Sequence, residues 1–267
     1  MNVHAKPIAG ADTARKILGV AVANIERAEA LDLLERRIKE RRFTKLGFLN
    51  AHGANLATTN PDFASALQDF LILPDGVGVD IAAKLLYGVP FRANLNGTDF
   101  VPALLRFATP PITVGLLGAS RCNVEAAADK LKIVAPQHRY PVMHDGFFSP
   151  ADEPGILRQL AEVRPDILLV AMGMPRQELW MARHLDQRHC TVAIAVGALF
   201  DFLAGAVPRA PKWVRRLRLE WVFRMGLEPK RLWRRYVLGN PLFLARVAIQ
   251  KLFGPKASGR TSGSVRE

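Results

Sequence analysis

A carboxylate followed by two glycines is the part of this chain best suited to moving a proton. Asp75 lies in Leu73-Pro74-Asp75-Gly76-Val77-Gly78, directly after a short apolar run. The glycines leave room for a substrate to approach the backbone, so the carboxylate is a candidate general base. Taken alone, Asp75-Gly76 reads first as a turn or a helix cap. Asn50-Ala51-His52-Gly53 occupies a similar place after another apolar run. Gly115-Leu116-Leu117-Gly118-Ala119-Ser120 runs from an apolar segment into a helix start, where backbone N–H groups could hold a phosphate. It does not complete GxGxxG, and glycine in such a turn serves packing equally well. In Gly173-Met174-Pro175-Arg176-Gln177-Glu178, an apolar run meets a helix whose first turn carries Arg, Gln and Glu. A helix start favours anions, Arg176 would add charge-assisted hydrogen bonds, and Gln177 could read a sugar or base edge. A capped helix with solvated polar residues fits that spacing equally. His144-Asp145-Gly146-Phe147-Phe148 is, on its own, a turn with buried aromatics.

These positions must be held by the elements around them. Strands are expected over 16–22, from about 43 to 50, and over 70–73, 112–117, 166–172 and 191–196. Helices are expected over 26–41, over 54–68 with a break at Asn60-Pro61, and over 79–87, 98–107, 120–134, 152–163, 176–187 and 199–203. Continuous apolar strands alternating with helices indicate an α/β fold with a mostly parallel sheet covered on both faces. In such a sheet, ligands bind beyond the carboxyl ends of the strands, which is where Asn50, Asp75 and Arg176 fall.

The remaining signal is charge. The chain has 267 residues and a net charge of +13. Residues 207–267 hold 15 Lys and Arg against 3 Asp and Glu, while residues 1–206 hold 22 against 21. A near-neutral body therefore carries a strongly basic segment, which also contains Trp213, Trp221 and Trp233. Helices are expected there over 211–225, 229–237 and 241–253. They are Arg-rich, Trp-bearing and amphipathic, as interfacial helices are. Residues 254–267, rich in Gly, Ser and charge, read as a disordered tail. Such asymmetry points to a polyanion, either nucleic acid or an anionic membrane. Clustered tryptophans argue against a merely solvated face.

No apolar stretch reaches the ~18 residues of a spanning helix, and residues 1–10 lack the apolar run of a secretory signal. Two cysteines, Cys122 and Cys190, form neither a disulfide framework nor a zinc cluster, and a reducing cytoplasm fits. DxD, Walker A, HExxH, GxSxG and CxxC are all absent. No cofactor is expected.

Taken in order, the motifs resemble those of the WecB/TagA/CpsF family of bacterial glycosyltransferases (glycosyltransferase family 26), from about residue 16 to residue 253. The set comprises Asn50 after its strand, Pro74-Asp75-Gly76-Val77-Gly78, Gly97-Thr98-Asp99, Gly115-Leu116-Leu117-Gly118, Asp145-Gly146-Phe147-Phe148 and Gly173 to Glu178. It continues with Gly197 to Gly205, Arg209-Ala210-Pro211-Lys212-Trp213, Leu219-Glu220-Trp221 and Glu228-Pro229-Lys230-Arg231. The resemblance implies a Rossmann-like core over residues 1–206 and a basic, helical, membrane-associating appendage over residues 207–253.

The implied activity moves a hexose or N-acetylhexosamine from a UDP-sugar to a polyprenyl-diphosphate-linked saccharide, with inversion and without a metal. It would serve exopolysaccharide or cell-surface polysaccharide synthesis at the inner face of the cell membrane. Asp75 matches the family's base, and Asn50 and Gln177 match substrate-contacting positions. Thr98, Asp99 and Gly118 fall within family motifs. Arg176, Arg209, Arg215 and Arg216 are the cations available for a leaving diphosphate. Two positions depart from the family pattern. Phe48 stands where Thr is common, and Asn94 where Arg is frequent, with Arg92 two residues earlier. A homo-oligomer is left open. The competing readings are a nucleic-acid-binding protein, which the confinement of charge to a Trp-bearing tail disfavours, and a dehydrogenase, which the missing GxGxxG disfavours.

Overall fold

The computed structural model describes residues 14–211, 213–214 and 219–254. Six strands form one sheet: β3 (Thr44–Leu49), β4 (Phe70–Pro74), β5 (Val114–Gly118), β6 (Val142–His144), β7 (Ile167–Ala171) and β8 (Val192–Ala195). Their order is β4-β3-β8-β7-β5-β6, and every neighbouring pair is parallel. Continuous apolar strands require this arrangement, because side chains alternate faces and both faces must be dry. In β7, Ile167, Leu169 and Ala171 enter one core while Leu168 and Val170 enter the other.

The first core is closed by helices α1 (Arg27–Lys39), α5 (Gly97–Phe107), α6 (Arg121–Val134) and α9 (Leu199–Leu203). The second is closed by α2 (Ala51–Thr59), α3 (Pro61–Leu67), α4 (Val77–Tyr87), α7 (Glu153–Val163) and α8 (Arg176–His184). The α/β sandwich expected from the sequence is therefore present, with helices on both faces.

Local chemistry sets the helix starts. Asn50, Asn60, Asn96 and Ser120 each accept a backbone N–H of the first turn, at 3.0, 3.0, 2.9 and 3.2 Å. The helix α4 opens instead on Gly76, whose φ of +87° a side chain would resist.

Three expectations need correction. Residues 16–22 are not one strand. They belong to a hairpin, β1 (Ala14–Ile17) against β2 (Val20–Ala23), turned by Leu18 and Gly19 at positive φ. The short strand β6 is not among the expected strands, and of its residues only His144 falls in a segment read as a turn. A single helix over 211–225 is also not found, because Leu219 is non-helical and α10 (Glu220–Leu227) begins after it.

Beyond α10 come α11 (Pro229–Trp233), a π-helical turn over Arg234–Leu238, and α12 (Gly239–Phe253). The last helix lies against α2 and α4. It places Phe243 and Val247 in the second core, fully buried, each worth roughly 1.5–3 kcal/mol of burial. Asn55 fastens it. The Asn55 Nδ2 donates to Gly239 O at 2.7 Å, and Asn55 Oδ1 accepts from Arg246 Nη1 at 2.9 Å. Among the described residues no helix is long and apolar enough to cross a membrane.

Candidate functional site

The carboxyl ends of β3 and β4 bring Asn50 and Asp75 side by side. Asn50 caps α2 through its Oδ1, which fixes the orientation of its amide. Its Nδ2 is then left facing Asp75 Oδ2, to which it donates at 3.4 Å. The backbone N–H of Asp75 continues the sheet by donating to Leu49 O at 2.9 Å. The next residue is held as well: Gly76 N donates to Asn94 Oδ1 at 3.2 Å. Asn94, which stands where the family often has Arg, thus tethers the loop that carries Asp75.

Asp75 is the meeting point of two cavities. One, of about 420 Å³, is polar and lies over the ends of β5, β7 and β8; Ala119, Gly146, Gly173, Gly197 and Asp201 contribute to its wall. The other, of about 710 Å³, has a more apolar wall and lies between α4 and the C-terminal helices, where Ile81, Trp221, Met225, Pro241 and Leu244 line it. Asn50, Asp75, Thr98, Phe202, Arg224 and Arg235 line both.

The electrostatics at this junction are uneven. Burial pushes the Asp75 carboxyl above the ordinary carboxylate range. The Asn50 hydrogen bond and the charges of Arg235 and Arg224 oppose that rise, and Glu220 adds to it. His52, on the first turn of α2, is pushed down to about 4 by burial and by Arg235, so it is neutral at pH 7. Arg224 also stands over the Phe202 ring, 5.3 Å from its centroid. The site therefore holds a carboxyl inclined to accept a proton, beside guanidinium groups able to hold anionic oxygens.

The wall of the polar cavity is organised by Gln177. Its Oε1 accepts from Gly173 N at 3.2 Å and from Gly197 N at 3.1 Å, joining the loops after β7 and β8. Its Nε2 donates to Glu178 Oε1 at 2.8 Å. The Gln177 oxygen thus spans two loops and is not free to read a ligand. Arg176 lies on the same wall, exposed, with its guanidinium 5.3 Å from the Phe148 ring centroid. Asp201 is held by Asn123 Nδ2 at 2.7 Å. Phe48 lines the polar cavity and packs against Gly97, where a Cβ would come 3.0 Å from the Phe48 ring.

The other sequence candidates fall elsewhere. Gly118 is absent from both walls. Its φ is +128°, and a Cβ there would collide with the Ala171 backbone, so it is a packing glycine. The neighbouring Ala119 N–H donates to Ala171 O at 2.8 Å, so it is not presented to a phosphate. Arg92 lies at the surface, paired with Glu29 at 2.8 Å and Glu26 at 3.3 Å. Arg209 pairs with Asp99 at 2.5 Å, and neither lines either of these two cavities. Arg215 and Arg216 lie outside the described residues.

Sequence reasoning did not single out Arg224 and Arg235, and it named Glu178 only as part of the first turn of its helix. Arg224 and Arg235 sit in a segment so rich in arginine that spacing alone could not separate inward from outward positions. The π-helical turn at Arg234–Leu238 further shifts the helical register there. Among the described residues no group of three or more His, Cys, Asp and Glu side chains is placed to hold a metal ion.

The model of the Glycosyl transferase WecG/TagA/CpsF family matches residues 15–257. The chain is similar to the N-acetylglucosaminyldiphosphoundecaprenol N-acetyl-beta-D-mannosaminyltransferase of Bacillus subtilis (strain 168). The two are 32% identical over 222 residues, which cover 76% of this chain and 84% of that protein. A protein of the same name from Staphylococcus aureus (strain NCTC 8325 / PS 47) is 30% identical over 243 residues, 88% of this chain and 92% of its own length.

Proposed function

The chain belongs to the WecG/TagA/CpsF family of glycosyl transferases, and from that premise we propose that it moves a hexose or N-acetylhexosamine from a UDP-sugar to a polyprenyl-diphosphate-linked saccharide. The observation that carries the reading is the junction: one carboxylate and two arginines shared by a polar and a more apolar cavity.

The polar cavity, beyond the strand ends, takes the nucleotide diphosphate sugar. The apolar cavity takes the acceptor, whose hydroxyl meets Asp75. Asp75 removes the hydroxyl proton as the oxygen attacks the anomeric carbon. Arg224 and Arg235, at the same junction, hold the diphosphate as charge develops on it. Attack from one cavity on the anomeric carbon, with the departing diphosphate seated in the other, is an in-line displacement and inverts that centre. With these guanidinium groups the reading requires no metal, and transfer is expected to survive EDTA. Complete loss with EDTA, restored by magnesium or manganese, would overturn that part.

The basic segment is read as the membrane-associating part, serving cell-surface polysaccharide synthesis at the inner face of the membrane. Exposed Ile249, Leu252 and Phe253 on α12, beside Lys251, support contact with an anionic lipid surface. The names of the two relatives support a lipid-diphosphate acceptor. The test is incubation with a panel of UDP-sugars and a lipid-diphosphate-linked acceptor while UDP release is followed. No release with any pair would refute the proposal.

A further inference from the structure

Glu178 is a carboxyl without a role in the mechanism above. It is 2% exposed, yet it lines the polar cavity from the first turn of α8. Its Oε1 accepts from Gln177 Nε2, and its Oε2 has no hydrogen-bond partner. Leaving a buried carboxylate oxygen unsatisfied is costly, so such a group either carries a proton or meets a ligand. Both conditions can hold at once. With Oε1 accepting from Gln177, the only place for a proton is Oε2, which turns the orphaned acceptor into a donor.

The surroundings favour a ligand rich in acceptor oxygens. Arg176, in the first turn of α8, lines the same wall, where its guanidinium and the positive end of the helix dipole attract anions. An ionised carboxylate in that wall would repel an anion, whereas a carboxylic acid would bind it.

We propose that Glu178 is held as the neutral acid and that its Oε2–H donates a hydrogen bond to a diphosphate oxygen of the donor nucleotide. The inference rests on the reading of the polar cavity as the nucleotide site. Burial supports it, pushing the Glu178 carboxyl up to about 7.

Other charges bear on any pH test. Asp75, Arg176, Asp201, Arg224 and Arg235 line the same cavity. Arg183 and His184 share α8, Asp62 lies on the neighbouring α3, and Glu153 on α7 approaches His184 at 3.6 Å. None of them forms an ion pair with Glu178, and the raised value comes from burial, opposed by the Gln177 hydrogen bond and by Glu178's own backbone N–H. Asp75 is also raised, so the comparison is best made in an Asp75→Asn background.

UDP binding is measured by titration calorimetry at about pH 6 and about pH 9, on either side of the Glu178 transition. Three proteins are compared: Glu178 intact, Glu178→Gln and Glu178→Met. Gln is the isostere of the neutral acid. Its oxygen can accept from Gln177 while its NH2 points where the acid proton would. With Glu178 intact, affinity should fall by roughly ten- to a hundredfold relative to Glu178→Gln as pH rises, the scale of a hydrogen bond to a charged group. Glu178→Gln should bind UDP more tightly than the parent at high pH, and Glu178→Met should bind weakly at both. UDP's own titration is common to all three and cancels.

Thermal unfolding confirms that each variant is folded, and the Gln variant decides the matter if the Met variant is not. A Glu178→Gln protein that follows the parent's pH dependence would overturn the assignment, as would a folded Glu178→Met protein that binds like the parent. If no UDP binds even to the wild-type chain, the donor reading fails and takes this proposal with it.

Discussion

Asp75 and Asn50 share a hydrogen bond, and that arrangement allows the base to be tested without disturbing its neighbours. Asp75→Asn keeps the side-chain shape and an oxygen able to accept from Asn50, but it removes the basicity. Transfer should fall by about 10²–10⁴-fold, the usual scale of general-base catalysis, while UDP binding changes little. Near-normal turnover would eliminate Asp75 as the base. The wild-type pH profile supplies a second reading. A base works only when ionised, and burial raises the pH at which Asp75 ionises. The rate should therefore decline on acidification at a pH above that of an ordinary aspartate, and an acid limb at the ordinary position would contradict the assignment.

Asn50, Asp75, Thr98, Arg176 and Gln177 all come to one cavity wall, a placement legible in the sequence because strand ends and helix starts announce themselves there. Arg92 and Arg209, suggested by the family resemblance, are taken up by the acidic neighbours Glu26, Glu29 and Asp99. Nothing local in the chain revealed which of its many arginines would turn inward.

At the scale of elements, the C-terminal helix depends on one polar residue of α2. Asn55 is buried and serves both Gly239 O and Arg246 Nη1. Asn55→Ala would strand these groups at a cost of roughly 1–3 kcal/mol. The expected outcome is faster hydrogen exchange across residues 239–253 together with slower transfer, because Arg235 sits just before that helix. Unaltered exchange in α12 would show that Phe243 and Val247 hold it unaided.

Most elements could be read from apolar runs bounded by Gly, Pro and Asn. The failures have physical causes. In Lys16-Ile17-Leu18-Gly19-Val20-Ala21-Val22 the apolar residues continue through a turn that only Gly19 signals, so two short strands look like one. The three residues of β6 are too few to show any period. The π-helical turn breaks the 3.6-residue repeat on which helical reading relies.

For the molecule as a whole, the proposed membrane attachment is the part of the reading most open to direct measurement. Leu252 is 73% and Phe253 83% exposed, and they contribute little to the core. Replacing both with Ser should leave thermal stability nearly unchanged and reduce sedimentation with anionic vesicles. The wild-type protein should also sediment less as salt rises. Vesicle binding undiminished by the double substitution would place the lipid contact elsewhere.

The position of the shared arginines along the chain has a consequence for synthesis. The sheet is complete at Ala195, and Arg235 follows 40 residues later. At about 5–20 residues per second, a ribosome takes roughly 2–8 s to cover that interval. During it, the emerging chain already contains Asp75 and Arg176 but not yet both of the arginines proposed to hold the leaving phosphate. On the proposed mechanism, a translation product cut short in this interval is expected to spend no activated sugar.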